Sequence, residues 1–373
     1  MTFHADITHF GWTGVQLFFV LSGFLITGIL WKEKFKPNSL PYKFKKFWVR
    51  RSLRIFPLYF GYLLLLGVLY IAFHIPENFQ THFPYLVTYT FNYTRSFPGW
   101  QGDPLITHLW SLSIEEQFYL FFPLIIFFCS ARFIKYLMVV VIALAPFIRL
   151  ALGEYYKSKG LAPEVVADSI YWNTFSHLDA FFMGGIIPVL SLNTKLKKPQ
   201  RILGASLVIV IIAGIWNFTH SESGIFYLND LGYNHGLVNN YEHVWHYTVL
   251  NVLFASFLLT LVSRYTQHRL MLLRRLLESK WMVSIGKVSY GMYIYHWGIL
   301  AYFYARFIPA NSLFLKILLF GPYVLLVFLV SALSYRLYES YFIKLKDKWF
   351  TNKTNRIKEI PVIETDTLSN KPI

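Results

Sequence analysis

Uncharged apolar stretches recur along this chain, separated by short polar segments, and their lengths predict helices rather than strands. Stretches near 11–31, 55–73, 109–129, 136–152, 173–192, 202–219, 245–263, 285–305 and 313–337 predict nine membrane-spanning helices, since about 20 apolar residues cross a hydrocarbon layer of roughly 30 Å. The intervening segments alternate in charge. Those at 32–54, 132–135, 193–201 and 264–284, with the tail after 337, hold nearly all the Lys and Arg. Those at 74–108, 153–172, 220–244 and 306–312 hold only Arg95, Lys157, Lys159 and Arg306. Basic loops stay in the cytoplasm, so the first set and the C-terminus are expected there. One missed helix would invert every later loop, so the regular alternation supports the count. The apolar patch Phe83–Phe91, running into Asn92, breaks the alternation if counted as a span and is read as a loop element at the interface.

Nine spans and a cytoplasmic C-terminus put the first residue outside, although no charged n-region precedes Gly11 to carry it there. The first ten residues are therefore expected to be the outer end of a further helix whose body lies upstream, a short external tail being the alternative. No internal repeat and no Gly/Ser- or Pro-rich linker divides the chain. The expectation is one all-α membrane helix bundle over 1–345 and a polar cytoplasmic tail over 346–373, disordered by composition.

Composition agrees: 55% of the 373 residues are hydrophobic and 14% charged, against roughly 25% charged in a soluble domain. The net charge of +16 would suggest nucleic acid in a soluble protein. Here cationic loops on one face of a bilayer account for it, and no nucleic-acid partner is expected. The single cysteine, Cys129, excludes an intramolecular disulfide and a cysteine metal cluster, and no metal site is expected. No P-loop, G-x-G-x-x-G, H-E-x-x-H or G-x-S-x-G motif is present, which removes support for ATP-driven transport and soluble-type hydrolase chemistry.

Polar groups inside apolar spans are costly and ask for a reason. Ser111, Glu115 and Tyr119 are spaced i, i+4, i+8 and share one helix face. A carboxylate there suits proton transfer or hydrogen bonding to a hydroxyl; alternatively Glu115 or Glu116 pairs with an arginine to hold helices together. Ser289, Tyr293 and His296 share a face in the same way, with His296 about 16 Å from the cytoplasmic end, either as an interhelical hydrogen-bonder or as a functional group. Arg50, Arg51 and Arg54 would cluster if their segment is helical. Guanidinium forks suit phosphates, while basic residues at a cytoplasmic helix end also set topology and touch anionic lipids. His4, Asp6 and His9 lie together near the external side. Asp179, and Arg336 with Glu339, read as packing or ion-pairing groups. Trp100, Tyr85, Tyr89 and Tyr93 could stack on sugar rings, but interfacial anchoring is the simpler reading.

Five blocks carry a resemblance in the right order and spacing: Gly14-Val-Gln-Leu-Phe-Phe-Val-Leu-Ser-Gly-Phe-Leu-Ile26, Arg50-Arg-Ser-Leu-Arg-Ile-Phe-Pro-Leu-Tyr59, Trp110-Ser-Leu-Ser-Ile-Glu-Glu-Gln-Phe-Tyr-Leu120, Leu178-Asp-Ala-Phe-Phe-Met-Gly184 and Ser289-Tyr-Gly-Met-Tyr-Ile-Tyr-His296. Together, over about 4–345, they resemble the acyltransferase-3 family of integral-membrane O-acyltransferases in its stand-alone form. The resemblance implies a ten-helix domain, of which nine spans are present, in the inner (cytoplasmic) membrane. It implies transfer of an acyl group, commonly acetyl, from cytoplasmic acyl-CoA to a hydroxyl of a sugar or envelope polysaccharide. Acyl-CoA (acetyl-CoA) is then a donor substrate, with no permanently bound cofactor.

By this resemblance His4 aligns with the catalytic base, Glu115 or Glu116 would orient it or the acceptor, and Arg50, Arg51 and Arg54 would hold the CoA phosphates. Ser111, Ser289, Tyr290 and His296 would line the channel. The chain departs from the family pattern at Gln16, where Asp is common, at His177, where Arg is common, and at Glu339-Ser-Tyr-Phe342, which lacks the usual Pro. A transporter or flippase of a lipid-linked sugar is the competing reading; it would also bury polar residues among many spans, but it predicts internal repeats.

Overall fold

The computed structural model describes residues 9–220, 231–233, 241–301 and 313–350, and these are helical with no strand among them. After a 3-10 turn, α1 runs Thr13–Lys34, α2 Leu40–Phe73, α3 Phe79–Val87, α4 Trp110–Phe128, α5 Ala131–Ser158, α6 Pro163–Tyr171 and α7 Leu178–Val189. They are followed by α8 Leu192–Lys195, α9 Pro199–His220, α10 Glu242–Val262, α11 Met271–Leu277, α12 Lys280–Ile299, α13 Leu313–Ser334 and α14 Ser340–Phe350.

Seven helical stretches among the described residues are long and apolar enough to cross a bilayer: Thr13–Lys34, Leu40–Phe73, Thr107–Phe128, Ala131–Ser158, Pro199–His220, Glu242–Val262 and Phe314–Leu345. The two other expected spans fall short of that measure. The 173–192 stretch is divided, because the Asn173 side chain accepts a hydrogen bond from the Phe175 amide and starts a 3-10 turn. The following α7 has only 12 residues, about 18 Å of helix. The 285–305 stretch corresponds to the 20-residue α12, which carries Lys280, Lys287 and several hydroxyls and is less apolar; residues 302–305 lie outside the described set. The patch expected as a loop element holds the nine-residue α3 and a 3-10 turn over Phe91–Ser96. The last helix continues through a π turn, Tyr335–Glu339, and runs to Phe350, beyond the expected boundary at 345. His4 and Asp6 lie outside the described residues.

Sequence explains the local geometry. α2 is 34 residues long, about 51 Å, so its basic first half projects beyond a hydrocarbon layer. Lys34, at the end of α1, donates to the carbonyls of Ile126 and Cys129, both at 2.8 Å, and caps the carbonyl end of α4. Outward faces of α9 and α13 remain apolar, with Ile212, Ile215, Leu318 and Leu325 exposed, as lipid-facing surfaces must be.

Two contacts hold the interior. α1 packs most extensively on α7, and a β-carbon at Gly23 or Gly184 would overlap the carbonyl oxygen of Phe181 or Val20 respectively. Small residues let the two backbones touch, the usual means of helix association in lipid. Beside them Arg149 of α5 and Asp179 of α7, both fully buried, form an ion pair at 3.1 Å. Arg149 also donates to the Ser176 carbonyl (2.7 Å), the Val244 carbonyl (3.1 Å) and the Thr248 hydroxyl. Asp179 accepts from Thr248 (2.7 Å) and Asn251 (3.1 Å) of α10.

Replacing Gly184 with alanine is expected to lower stability by about 1–3 kcal/mol through overpacking. Arg149→Leu, which strands a buried carboxylate, should cost about 3–5 kcal/mol. Thermal midpoints from fluorescence-detected size exclusion in detergent check both.

Candidate functional site

The four-residue spacing on α4 places Ser111, Glu115 and Tyr119 on one stripe about 12 Å long, and that stripe meets α1 and α12. The Tyr293 hydroxyl of α12 donates to the His108 carbonyl at 2.7 Å, so Ser111 supplies the proton in its 2.5 Å hydrogen bond to Tyr293. Midway, Ser22 of α1 donates to Glu115 at 3.0 Å and lies 2.7 Å from the Tyr119 hydroxyl, which itself hydrogen-bonds Glu115. The Arg51 guanidinium of α2 stacks over the Tyr119 ring at 4.5 Å.

A cavity opens at each end of this stripe. At the Tyr119 end, about 220 Å³ is lined by Glu33, Lys43, Lys46, Arg50, Arg51 and Arg54, with apolar side chains of α1 and α4. Because α2 is one continuous helix here, the three arginines fall together. Glu33 accepts from Lys36 (2.9 Å), Asn38 (3.0 Å) and Lys46 (3.2 Å), leaving a surplus of cations. At the Ser111 end, about 540 Å³ is lined by aromatic rings together with Ser111, Ser289, His296, His108, Arg95 and Asp168. Phe18 of α1 borders this second cavity and Ile29 the first; eleven residues of helix separate them by about 16 Å.

The second cavity is framed by fixed groups. Arg95 donates through Nε (3.0 Å) and Nη2 (2.8 Å) to one oxygen of Asp168. Asp103 accepts from the Leu105 amide at 2.7 Å, and its carbonyl holds Thr107 in the 3-10 turn that leads into α4. Burial pushes the Asp103 carboxyl up, against the lowering effect of that amide. His296 donates through Nδ1 to the Tyr293 carbonyl at 2.6 Å, and its ring lies 5.2 Å from that of His108.

The expected site residues thus fall into groups. Arg50, Arg51 and Arg54 share the basic cavity, and Ser111, Ser289 and His296 share the other. Glu115 lies between them. Glu116 leaves the stripe, and its Oε1 is buried with no hydrogen-bond partner. Tyr290 lines neither cavity; its hydroxyl donates to the Ile55 carbonyl at 3.2 Å. His4 lies outside the described residues. Ser22, Glu33, Lys43, Lys46 and His108 were not picked out from the sequence. Ser22 stands inside an apolar block and His108 one residue ahead of an expected span, where neither spacing nor charge marks a partner. The two departures Gln16 and His177 meet: Gln16 Nε2 donates to His177 Nδ1 at 3.1 Å, and His177 Nε2 donates to the Tyr171 carbonyl at 2.5 Å. A neutral hydrogen bond stands where the resembled pattern would place opposite charges.

Comparison with known proteins gives one family and a set of relatives. A family model described as an acyltransferase domain matches residues 3–336. O-acetyltransferase OatA of Staphylococcus aureus (strain NCTC 8325 / PS 47) is 26% identical over 342 residues, covering 88% of this chain and 52% of that protein. OatA of Staphylococcus aureus (strain COL) matches to the same extent, 26% over 342 residues with the same coverage. The chain therefore spans about half the length of the curated relatives it matches. No solved structure matches it.

Gln16→Asp and His177→Arg should each destabilise the bundle alone, because each buries one unmatched charge. The double variant should recover, with a coupling of about 0.5–3 kcal/mol in a double-mutant cycle of thermal stabilities.

Proposed function

The chain belongs to the acyltransferase-3 family, whose domain matches residues 3–336, and on that premise we propose that it moves an acyl group, most simply acetyl, from cytoplasmic acyl-CoA to a hydroxyl of a sugar or envelope polysaccharide. The observation that carries this reading is the α4 stripe. One polar face joins a cation-rich cavity to an aromatic, hydroxyl-bearing one. A donor with several phosphates and a long thin arm suits the first, because guanidinium groups bind phosphate in paired hydrogen bonds. Basic-loop asymmetry supports a cytoplasmic position for that end and for the C-terminus of the multi-pass bundle.

In this reading the acyl thioester enters between α1, α2 and α4 while the phosphates stay at Arg50, Arg51 and Arg54. His4 takes the proton of the acceptor hydroxyl as the oxygen attacks the thioester carbonyl. The C–S bond breaks, the ester forms, and the proton passes to the departing thiolate. A positioned imidazole base is worth about 10²–10⁴-fold in rate. Glu115, held by Ser22 and Tyr119, supports the imidazole or the acceptor from the middle of the stripe. The two OatA relatives, named as O-acetyltransferases, favour acetyl as the group moved.

Thiol release from acetyl-CoA by the purified chain in lipid, with glycan acceptors, tests the proposal. Arg50→Gln, Arg51→Gln and Arg54→Gln should each raise the donor KM by about tenfold or more and leave the acceptor KM unmoved. His4→Ala and Glu115→Gln should lower kcat, His4→Ala by about 10²–10⁴-fold. Exchange of a lipid-linked sugar across the bilayer with no thiol release would replace this reading with transport.

A further inference from the structure

Five of the eleven tryptophans, Trp12, Trp100, Trp110, Trp172 and Trp297, line the larger cavity. Interfacial anchoring does not account for them. Tryptophans suited to anchoring lie outward, as Trp216, Trp281 and Trp349 do, being 59%, 80% and 58% exposed. Trp12, Trp110 and Trp172 are instead 3%, 6% and 5% exposed. They are held as a rigid wall: Trp110 stacks on Trp172 at 5.7 Å, and Trp100 meets Trp172 edge-on at 5.3 Å. Trp100 is half-buried and sits under the Arg95 guanidinium at 4.6 Å, with its indole N–H donating to Thr94 at 3.2 Å.

Polar atoms in this wall are few and fixed. Ser111 and His296 hold the positions given above. His108 Nε2 donates to the Ile294 carbonyl at 3.0 Å. The ring also meets the Pro104 carbonyl. Among the lining residues the formal charges are Arg95 and Asp168, and they neutralise each other. The cavity's roughly 540 Å³ lies within the range of about 300–1,000 Å³ usual for small-molecule sites. A ligand for such a space has an apolar face for indole rings, a rim of hydroxyls for scattered acceptors and donors, and no net charge. A pyranose ring has all three. An anionic ring would bury its charge where no surplus cation answers it.

We propose that this tryptophan-walled cavity binds an uncharged pyranose ring of a glycan, with Trp100 and Trp297 as stacking surfaces and the polar edge formed by Ser111 and His296. The inference rests on the acyl-transfer reading only in making that ring the acceptor. It adds that the molecule sorts its two substrates by charge: the anionic one to the arginine cavity, the neutral one to the tryptophan cavity.

Equilibrium binding to the full chain in lipid nanodiscs tests this with a radiolabelled N-acetylglucosamine tetramer, a glucuronate tetramer of matched length, and CoA. Saturable binding of the neutral tetramer is expected, with the glucuronate tetramer markedly weaker. Trp100→Ala should weaken the neutral tetramer by about three- to tenfold, Trp100→Phe should restore most of it, and CoA binding should be unchanged in both. Trp297→Ala, on α12, should weaken it comparably, and serves if Trp100→Ala fails to elute as a monodisperse particle. Absence of saturable neutral binding in the unsubstituted chain, unchanged affinity in both alanine variants, or equal affinity for the glucuronate tetramer overturns the proposal. If CoA binding and thiol release persist in that case, only this assignment falls; if CoA is not bound either, the acyl-transfer reading falls with it.

Discussion

Hydrocarbon offers a buried charge no partner, so Arg149 and Asp179 have to answer one another, and much of the interior follows from how they do it. Their ion pair joins α5 to α7, while Thr248, Asn251 and the Val244 carbonyl bring in α10 and the Ser176 carbonyl fixes the turn before α7. Held there, α7 lies close enough to α1 that only glycine fits at Gly23 and Gly184. α1 in turn presents Ser22 to Glu115 and one end to each cavity. A buried ion pair is weak support for stability by itself. Here its value is positional, because it sets the register of the helix on which the site is built.

The polar cluster between α1 and α4 has two duties that the same three residues meet. Ser22, Glu115 and Tyr119 close on each other and satisfy their polar atoms within the bundle, as the low dielectric requires. The closed cluster also separates a cationic cavity from a neutral one about 16 Å away along α1. In the proposed reaction only the thin end of the donor has to pass this cluster, and its phosphates never leave the arginines. Arg51, which lines the cationic cavity, also stacks on the Tyr119 ring of the cluster.

Much of this was legible in the sequence because helical periodicity converts directly into neighbours. The four-residue spacing of Ser111, Glu115 and Tyr119 and the clustering of Arg50, Arg51 and Arg54 both became shared surfaces. Partners from distant helices were not legible. Ser22 and Glu115 are 93 residues apart, and Gln16 and His177 are 161 apart; no local pattern encodes such pairs. Arg149 could have been flagged as an ionisable group inside an apolar run. Trp100 read as an anchor because composition does not distinguish a ring facing lipid from one facing a cavity.

Among the described residues seven of the nine expected spans are long and apolar enough to cross a bilayer, and the other two fall short for a related reason. The two stretches that fall short of that measure both carry polar groups: His177 and Asp179 around α7, buried in the bundle, and Ser289, Tyr293 and His296 on α12, lining the larger cavity. Apolarity measured along the chain assumes that each residue faces lipid. A helix surrounded by other helices can exchange apolar side chains for hydroxyls and imidazoles, provided the neighbours satisfy them, as Tyr171 and Gln16 do for His177. A helix broken by a turn likewise needs protein, not lipid, against its free backbone groups. Short length and polar groups matched by neighbouring helices therefore mark α7 as an interior element, and local rules fail where a helix packs against protein instead of lipid.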